Sequence, residues 1–553
     1  MRRSGRGRPG DAGGEQVTRR VGDAIVEVLR SASVETVFGI PGIHTLGLYD
    51  ALAGTTAIRH ILTRHEQGAA FAADGYARVL GAPGVCSTTT GPGTFNTIAA
   101  VAEAWSDSSP VVVLAGQIDA DMDGSGRGIL HETPDQGRSF EALTGFVGRP
   151  RTTDAIPAAV GEALRHSMMG RRTPAYVELP TDLLGEPYEG PIPTVAFPGP
   201  VAPDPKAIVT AARVLAESSR VVIVPGAAVH RACATSELRR LAIRLDAPVI
   251  TPITGAGAIP ADDPLWAGVL NPGRAECRAL LEEADVVLVV GCRLDDVQTA
   301  RWTLPLRTIV QIDVDPAAIG RAYPVLVGIA GDARLALDGL LAELGGGPPA
   351  SATSEGATRA RKTREATLDG VSSAELRVRA AFLGARAAMP RDVILTHDAA
   401  RLNSWTGYVW PVYEPDGSMF PWGSATLGFA LGAANGAAVA APGRRVVASC
   451  GDGGFLFTAM ELATAVAHQL DVTVFIHDDA AFGSIADYQR RKHGRAFATD
   501  LVNPDLVAFA RSFGVPAERV EDVGDLPGAM ARAIADPGPS VVILGGPLDQ
   551  PWS

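Results

Sequence analysis

Lysine is nearly missing from this chain. Of 49 basic residues only Lys206, Lys362 and Lys492 are lysines, and they stand against 61 acidic residues. The formal charge of −12 and a pI near 5.4 exclude a general nucleic-acid binder, which needs a basic surface. The arginine bias carries no function by itself. Cysteine is scarce too: Cys86, Cys233, Cys277, Cys292 and Cys450 are odd in number, far apart and form no CxxC pair. That excludes a disulfide framework and a structural zinc site, and leaves small core residues in a reducing compartment. No uninterrupted apolar run reaches the roughly 18 residues of a membrane span. The N-terminal MRRSGRGRPGDAGGEQ is basic and glycine-rich with no apolar stretch behind it, so residues 1–16 read as a disordered tail and not a secretory signal. The expected location is the cytoplasm, with neither nucleic acid nor membrane as partner.

What is present is a long chain of 553 residues, 46% hydrophobic and 20% charged, the profile of a folded protein. At about 100–200 residues per domain it holds three domains. Two stretches read as linkers. One, 186–205, carries seven prolines; the other, 345–372, begins with small polar residues without periodicity (GGGPPASATSEGATRA) and is expected to be mobile. They leave domains at 17–185, 206–344 and 373–553.

All three domains repeat one pattern. Short apolar runs rich in β-branched residues, read as ending in Gly or Asp, alternate with longer alanine- and leucine-rich amphipathic stretches. The runs include VVVLAG (111–116), AYVELP (175–180), RVVIVPG (220–226), DVVLVVG (285–291), TIVQIDVD (308–315), RVVASCGDG (445–453) and VTVFIHDD (472–479). Such runs predict buried parallel strands whose C-terminal ends face a crevice. AAFAADGYARVLG and TAMELATAVAHQL read as helices between them. The fold class is α/β, with three Rossmann-like domains built on parallel sheets.

The stretch 446–483 carries the most chemistry. A strand ends in Gly451-Asp452-Gly453-Gly454 and leads into a helix, where glycines admit a phosphate close to the backbone and the helix N-terminus favours an anion. A second strand ends at Asp478-Asp479, 27 residues after Asp452 in the case of Asp479. Carboxylates on neighbouring strand tips beside a phosphate cradle describe a site for a divalent metal bridging protein and diphosphate.

With these residues in view the chain resembles the thiamine-diphosphate enzymes typified by acetolactate synthase, pyruvate oxidase and benzoylformate decarboxylase. Their motif is GDG, then roughly 25 residues, then NN or ND. The resemblance runs from about Val17 to about Leu544 and includes VFGIPG (37–42), TRHEQGAAFAADGYAR (63–78), TTTGPGTFN (88–96), ADVVLVVGCRLDD (284–296), QIDVDPAAIG (311–320) and WGSATLGFALGAANGA (422–437). It implies a pyrimidine-binding domain, a central domain and a diphosphate-binding domain, with thiamine diphosphate and Mg²⁺ as cofactors.

Carried over residue by residue, Glu66 is the carboxyl group that hydrogen-bonds the cofactor's aminopyrimidine and so promotes loss of the thiazolium proton. Its alanine-rich helix is expected to desolvate it and favour the neutral form. Asp452 and Asp479 are the side-chain metal ligands and the carbonyl of Ala481 the backbone ligand; Asp478 caps the turn, with the reverse assignment of the two aspartates left open. Gly451, Gly453 and Gly454 flank the diphosphate. Leu427 is the wedge that bends the cofactor, Ala425 offers its carbonyl to the 4′-amino group, and Pro41 lies near the pyrimidine. Gln117 stands near the reacting centre, although a Gln there can equally serve backbone groups. His131, with Glu132, Asp135 and Gln136, lies on a loop that can border the site, and His477 is a packing residue.

The implied activity is carboligation of the acetolactate-synthase type: a 2-keto acid, pyruvate by default, is decarboxylated and the enamine is joined to a second carbonyl compound. The chain has no adjacent histidine pair of the pyruvate-decarboxylase kind. A 2-keto acid decarboxylase or 2-hydroxyacyl lyase is the alternative, and a degenerate regulatory subunit is a third reading that intact Glu66, Asp452 and Asp479 argue against. Tyr488 and Gly145 replace the Trp and Lys usual in acetolactate synthase, which puts the substrate in question. TGAGAIPADDPLWAG resembles the FAD-holding segment of that enzyme, but Asp263 stands where His is common, so FAD is the weaker expectation. The implied assembly is a homodimer or dimer of dimers with the active site at the subunit interface.

Overall fold

The computed structural model describes residues 19–345, 352–369 and 371–551. The expected tail, 1–16, lies outside the described residues. Each domain carries one sheet of six strands, and every strand pairing within the three sheets is parallel. All seven apolar runs named above are strands. The first sheet runs in the order Arg59–Leu62, Thr36–Gly39, Gly84–Thr88, Val111–Gln117, Ala175–Pro180, Phe146–Gly148. The third runs Ser418–Met419, Ile394–His397, Val446–Gly451, Val472–Asp478, Ser540–Gly545, Ala517–Val520. Counted along the chain, both follow the order 2-1-3-4-6-5, so the first and third domains are one topology used twice.

The central sheet differs. Its order, Val327–Ala330, Ile309–Asp313, Val286–Val290, Val221–Pro225, Val249–Thr251, Trp266–Val269, is 6-5-4-1-2-3 along the chain, or 3-2-1-4-5-6 read from the opposite edge. This is the dinucleotide-binding arrangement, with its crevice where the strand order reverses. The central strands are apolar without alternation, as VVIVP and VVLVV, because helices cover both faces.

Helix Glu66–Leu80 of the first domain lies against helix Phe429–Ala440 of the third, and their sequences explain how closely. Both are almost wholly Ala and Gly on the shared face. A Cβ on Gly75 would strike the carbonyl of Ala433, and one on Gly436 the carbonyl of Ala72. Backbone thus meets backbone, and Phe71 packs edge-on to Phe429 beside it.

Two expectations change. Residues 355–366, placed in a mobile linker, form helix Glu355–Ala366, capped by Ser354, with the Gly356 N–H on Asp246 at 2.9 Å. TAMELATAVAHQL is not one helix: Asp452–Thr458 ends, a 3₁₀ turn Ala459–Glu461 intervenes, and Leu462–Ala467 follows. At the break Asn435 donates to the Glu461 carbonyl at 3.1 Å, while the Glu461 side chain reaches across to the first domain. Residues 191–204, by contrast, run without helix or strand, as their prolines require.

Candidate active site

Strand Val446–Gly451 delivers Asp452 to the first turn of the next helix, 1% exposed. One of its oxygens accepts the Gly453 N–H at 2.8 Å and the other accepts Asn503 Nδ2 at 2.6 Å. The same amide donates to Asp478 at 2.8 Å, so Asn503 bridges the two strand tips. Asp478 also takes Arg519 at 2.6 Å, and Asp479 takes Arg401 at 2.5 Å. The doubled carboxylate of the DD pair is therefore matched by two arginines, one to each. Burial pushes Asp452 and Asp479 above the usual carboxylate range. Burial acts on Asp478 too, but the bonds from Arg519 and Asn503 outweigh it and hold this group low. Asp478 thus has two protein donors, Arg519 and Asn503, where Asp479 has the Arg401 guanidinium.

The glycines of GDGG also make room for neighbouring side chains. Gly453 and Gly454 sit inside the helix, and what they admit is side chains: a Cβ on Gly453 would come within 2.6 Å of the Phe482 ring, and one on Gly454 within 2.6 Å of the Asp398 carboxylate. Ala481 forms an antiparallel bridge with Asp500. Among the described residues no three His, Cys, Asp or Glu side chains converge as a ligand set. Two carboxylates and a backbone carbonyl are an all-oxygen set that fits Mg²⁺ and leaves positions for diphosphate oxygens.

Ala425 has φ +52, a left-handed conformation, and is exposed; Leu427 is half-buried behind it, and Gly428 has φ +84. Asp398, buried and pushed up to about 6 by that burial, accepts the N–H groups of Gly428 at 3.1 Å and Ala430 at 3.0 Å. It thereby caps helix Phe429–Ala440 and anchors Gly428, the residue after Leu427.

In the first domain Glu66 opens its helix, and His65 caps it by accepting the Gln67 N–H. Within the single chain Glu66 is half-buried, since the alanines bury the middle of the helix against the third domain and not its first residue. Its Oε2 accepts Asn96 Nδ2 at 2.9 Å, and a Cβ on Gly93 would lie 3.1 Å from Oε1. Pro41 is exposed on the turn after Thr36–Gly39. Gln117 is 3% exposed, and its side-chain oxygen accepts the Ile118 N–H at 2.9 Å. The Glu66 carboxylate bonds to Asn96 of its own domain, so the Asp452–Asp479 cluster and Glu66 are held separately within one chain.

The loop after Gln117 comes back onto this first-domain half. Gln136 is buried and accepts the Gly91 N–H at 2.6 Å, and Glu132 gathers the N–H groups of Gly126, Gly128 and Ile129. His131, at φ +67, lies with its ring 5.2 Å from that of His44, and its Nδ1 is buried without a partner. No adjacency in sequence announced this pair. His477 donates its Nε2–H to the Gly546 carbonyl, 2.9 Å away, as a packing residue does. Asp263 is buried, accepting the Leu265 N–H and paired with Arg239. Gly145 sits against Thr173, and Tyr488 is 68% exposed.

Sequence reading missed Asn503, Arg401, Arg519, Asp398 and His44. For the arginines a signal existed: two adjacent acids at a strand end need compensating charge. Asn503, Asp398 and His44 are brought in by chain reversal and had none.

Family models cover most of the molecule. That for the N-terminal TPP-binding domain of thiamine pyrophosphate enzymes matches residues 19–139, the central domain 208–340, and the C-terminal TPP-binding domain 398–544. A probable 2-ketoarginine decarboxylase of Pseudomonas aeruginosa is 35% identical, over 96% of this chain and 94% of its own. A probable acetolactate synthase large subunit of Methanocaldococcus jannaschii is 31% identical (93% and 89%), and the acetolactate synthase isozyme 1 large subunit of Escherichia coli 31% (94% and 92%). The chain belongs to the thiamine pyrophosphate enzyme family, as a thiamine-diphosphate-dependent enzyme of transferase or lyase type that resembles acetolactate synthase.

Proposed function

We propose that the protein decarboxylates a 2-keto acid on thiamine diphosphate held with Mg²⁺, and joins the remaining acyl unit to a second carbonyl compound. Pyruvate is the default donor. The observation that carries this is the position of Asp452, and of Asp479 with Ala481, just past the ends of two paired neighbouring strands, in a chain that also presents Glu66 beside Asn96. In this assignment Asp452, Asp479 and the Ala481 carbonyl hold the metal, and Gly451, Gly453 and Gly454 border the diphosphate. Ala425, Leu427 and Pro41 face the pyrimidine side, and Glu66 exchanges a proton with it. Glu66 of one copy and the metal crevice of another complete one site, so the working unit is a homodimer or a dimer of dimers in the cytoplasm.

A second reading, release of the acyl unit as an aldehyde, is favoured by the His44–His131 pair. Release needs a proton at the acyl carbon after CO₂ has left, and two imidazoles with ring centres 5.2 Å apart are proton-transfer groups whose pairing the sequence did not reveal. The similarity to a 2-ketoarginine decarboxylase makes 2-ketoarginine the second donor to test. Purified protein with thiamine diphosphate and Mg²⁺, given each donor with and without an added aldehyde, separates the two by its carbon products. Neither reading needs a flavin. A cleft of about 580 Å³ lies at the central sheet's switch point between Gly226 and Gly291, with Arg171, Arg231 and Arg293 on its walls. The visible absorbance of purified protein reports whether it carries FAD.

A further inference from the structure

Glu103 lies on helix Ile98–Ser106 of the first domain and is 0% exposed. The rest of that helix is IAAVA-AWS, so the carboxylate is placed at a large desolvation cost for which it must be compensated. Every partner of its oxygens belongs to the third domain. Oε2 accepts the Thr426 N–H at 3.1 Å and the Thr426 hydroxyl at 2.8 Å; Oε1 accepts the Ser424 N–H at 3.4 Å. Between those two residues stands Ala425, a non-glycine residue held at φ +52, and Leu427 follows. Left-handed backbone at such a residue costs about 1 kcal/mol and persists only where its surroundings hold it.

The segment before it is already attached. Arg78, paired with Asp74 and Asp107, donates to the Phe420 carbonyl at 3.3 Å, and the Trp422 N–H meets Asp107 at 3.3 Å. Trp422 Nε1 donates to Asp295 of the central domain at 2.7 Å, and Ser424 meets Ser106 through their hydroxyls. Docking of the domains therefore does not need Glu103; shaping 424–426 does. The third domain returns the arrangement: Glu461, 1% exposed, accepts the N–H groups of Arg64 and His65, the residues directly before Glu66. In each domain a buried glutamate grips the backbone next to a residue assigned to the other domain's share of the cofactor site.

We propose that Glu103 is a positioning residue for cofactor activation: through Ser424 and Thr426 it holds the Ala425 carbonyl and Leu427 in the geometry that bends thiamine diphosphate. This rests on the assignment of Ala425 and Leu427 to the cofactor. It is independent of the donor and of the fate of the acyl unit.

The test needs no substrate. Full-length protein is loaded with thiamine diphosphate and Mg²⁺ in D₂O, and exchange of the thiazolium C2 proton is followed by acid quench and proton NMR. Cofactor affinity and the unfolding midpoint of cofactor-free protein are measured alongside. Glu103→Gln keeps the size but turns donors toward donors; exchange is expected to slow about tenfold or more while cofactor affinity stays within about threefold. Glu103→Asp recovers part of the rate. Exchange as fast as in the wild type, or slowed only where affinity falls in step, overturns the inference. If Glu103→Gln does not fold, Thr426→Val removes one of the three bonds and must also slow exchange; an unchanged rate there overturns it equally. Wild-type protein that binds no cofactor, or binds it without accelerating exchange, overturns the thiamine-site assignment first and this inference with it.

Discussion

Arg401 and Asp479 form an ion pair of 2.5 Å inside the crevice assigned to the metal, both largely buried. Arg401 also holds Asp487 at 2.8 Å, so its guanidinium is fixed from two sides. A metal that uses Asp479 must compete with that cation. Arg401→Gln is expected to tighten Mg²⁺ binding to cofactor-free protein by about three- to tenfold, the scale of one partly buried ion pair. Calorimetric titration with Mg²⁺ alone reads it directly; weaker binding would mean that Asp479 is not a ligand.

Asp452→Asn should separate binding from folding. The substitution removes the carboxylate that the metal needs, and cofactor affinity in the presence of Mg²⁺ is expected to fall by about 100-fold or more. Cofactor-free protein should unfold at or above the wild-type temperature near neutral pH. Burial raises the folded pKa of Asp452, so its charge opposes folding once the pH is above the unfolded value, and an amide lifts that cost. A cofactor titration and a melting curve on one preparation check both halves.

Glu103 gives the fold a pH dependence of definite sign. Burial, reinforced by Asp107 and opposed by Arg78 and the Thr426 bonds, pushes it up from 4.5 to about 7. A raised carboxyl stabilises fully below the unfolded value and loses that contribution as pH rises through the folded one. Cofactor-free wild type should therefore lose stability between about pH 5 and pH 7, by up to a few kcal/mol from this group, and Glu103→Gln should flatten that slope. Denaturant unfolding at several pH values tests it; equal slopes would place the charge elsewhere.

Glu461→Ala leaves the N–H groups of Arg64 and His65 without their acceptor at a buried contact. The expected cost is about 2–4 kcal/mol of stability, at roughly 1–2 for each donor. Urea unfolding measures it, and a loss below about 1 kcal/mol would mean that water reaches those donors.

The fold was legible because parallel strands buried on both faces read as apolar runs, and VVVLAG, DVVLVVG and VTVFIHD carry that signal without interruption. Short edge strands such as Ser418–Met419 and Phe146–Gly148 do not, since two or three residues give no period. Helix Glu355–Ala366 escaped because it is largely polar and buries only small residues. At the site, residues within one motif, such as Asp452 and Asp479, could be paired by spacing. Asn503, His44 with His131, and Glu103 with Thr426 depend on chain segments meeting across a sheet or between domains. Spacing along the chain holds no trace of such contacts.

The central claim is thiamine-diphosphate-dependent decarboxylation of a 2-keto acid with Glu66 as the proton-exchanging group. The most direct test is CO₂ release by purified protein with thiamine diphosphate, Mg²⁺ and, in turn, pyruvate and 2-ketoarginine, repeated with Glu66→Gln. The account predicts CO₂ from at least one donor, dependence on both cofactors, and a fall of about 100-fold or more in the variant, which still binds cofactor. Turnover that survives Glu66→Gln, or proceeds without thiamine diphosphate, would contradict it.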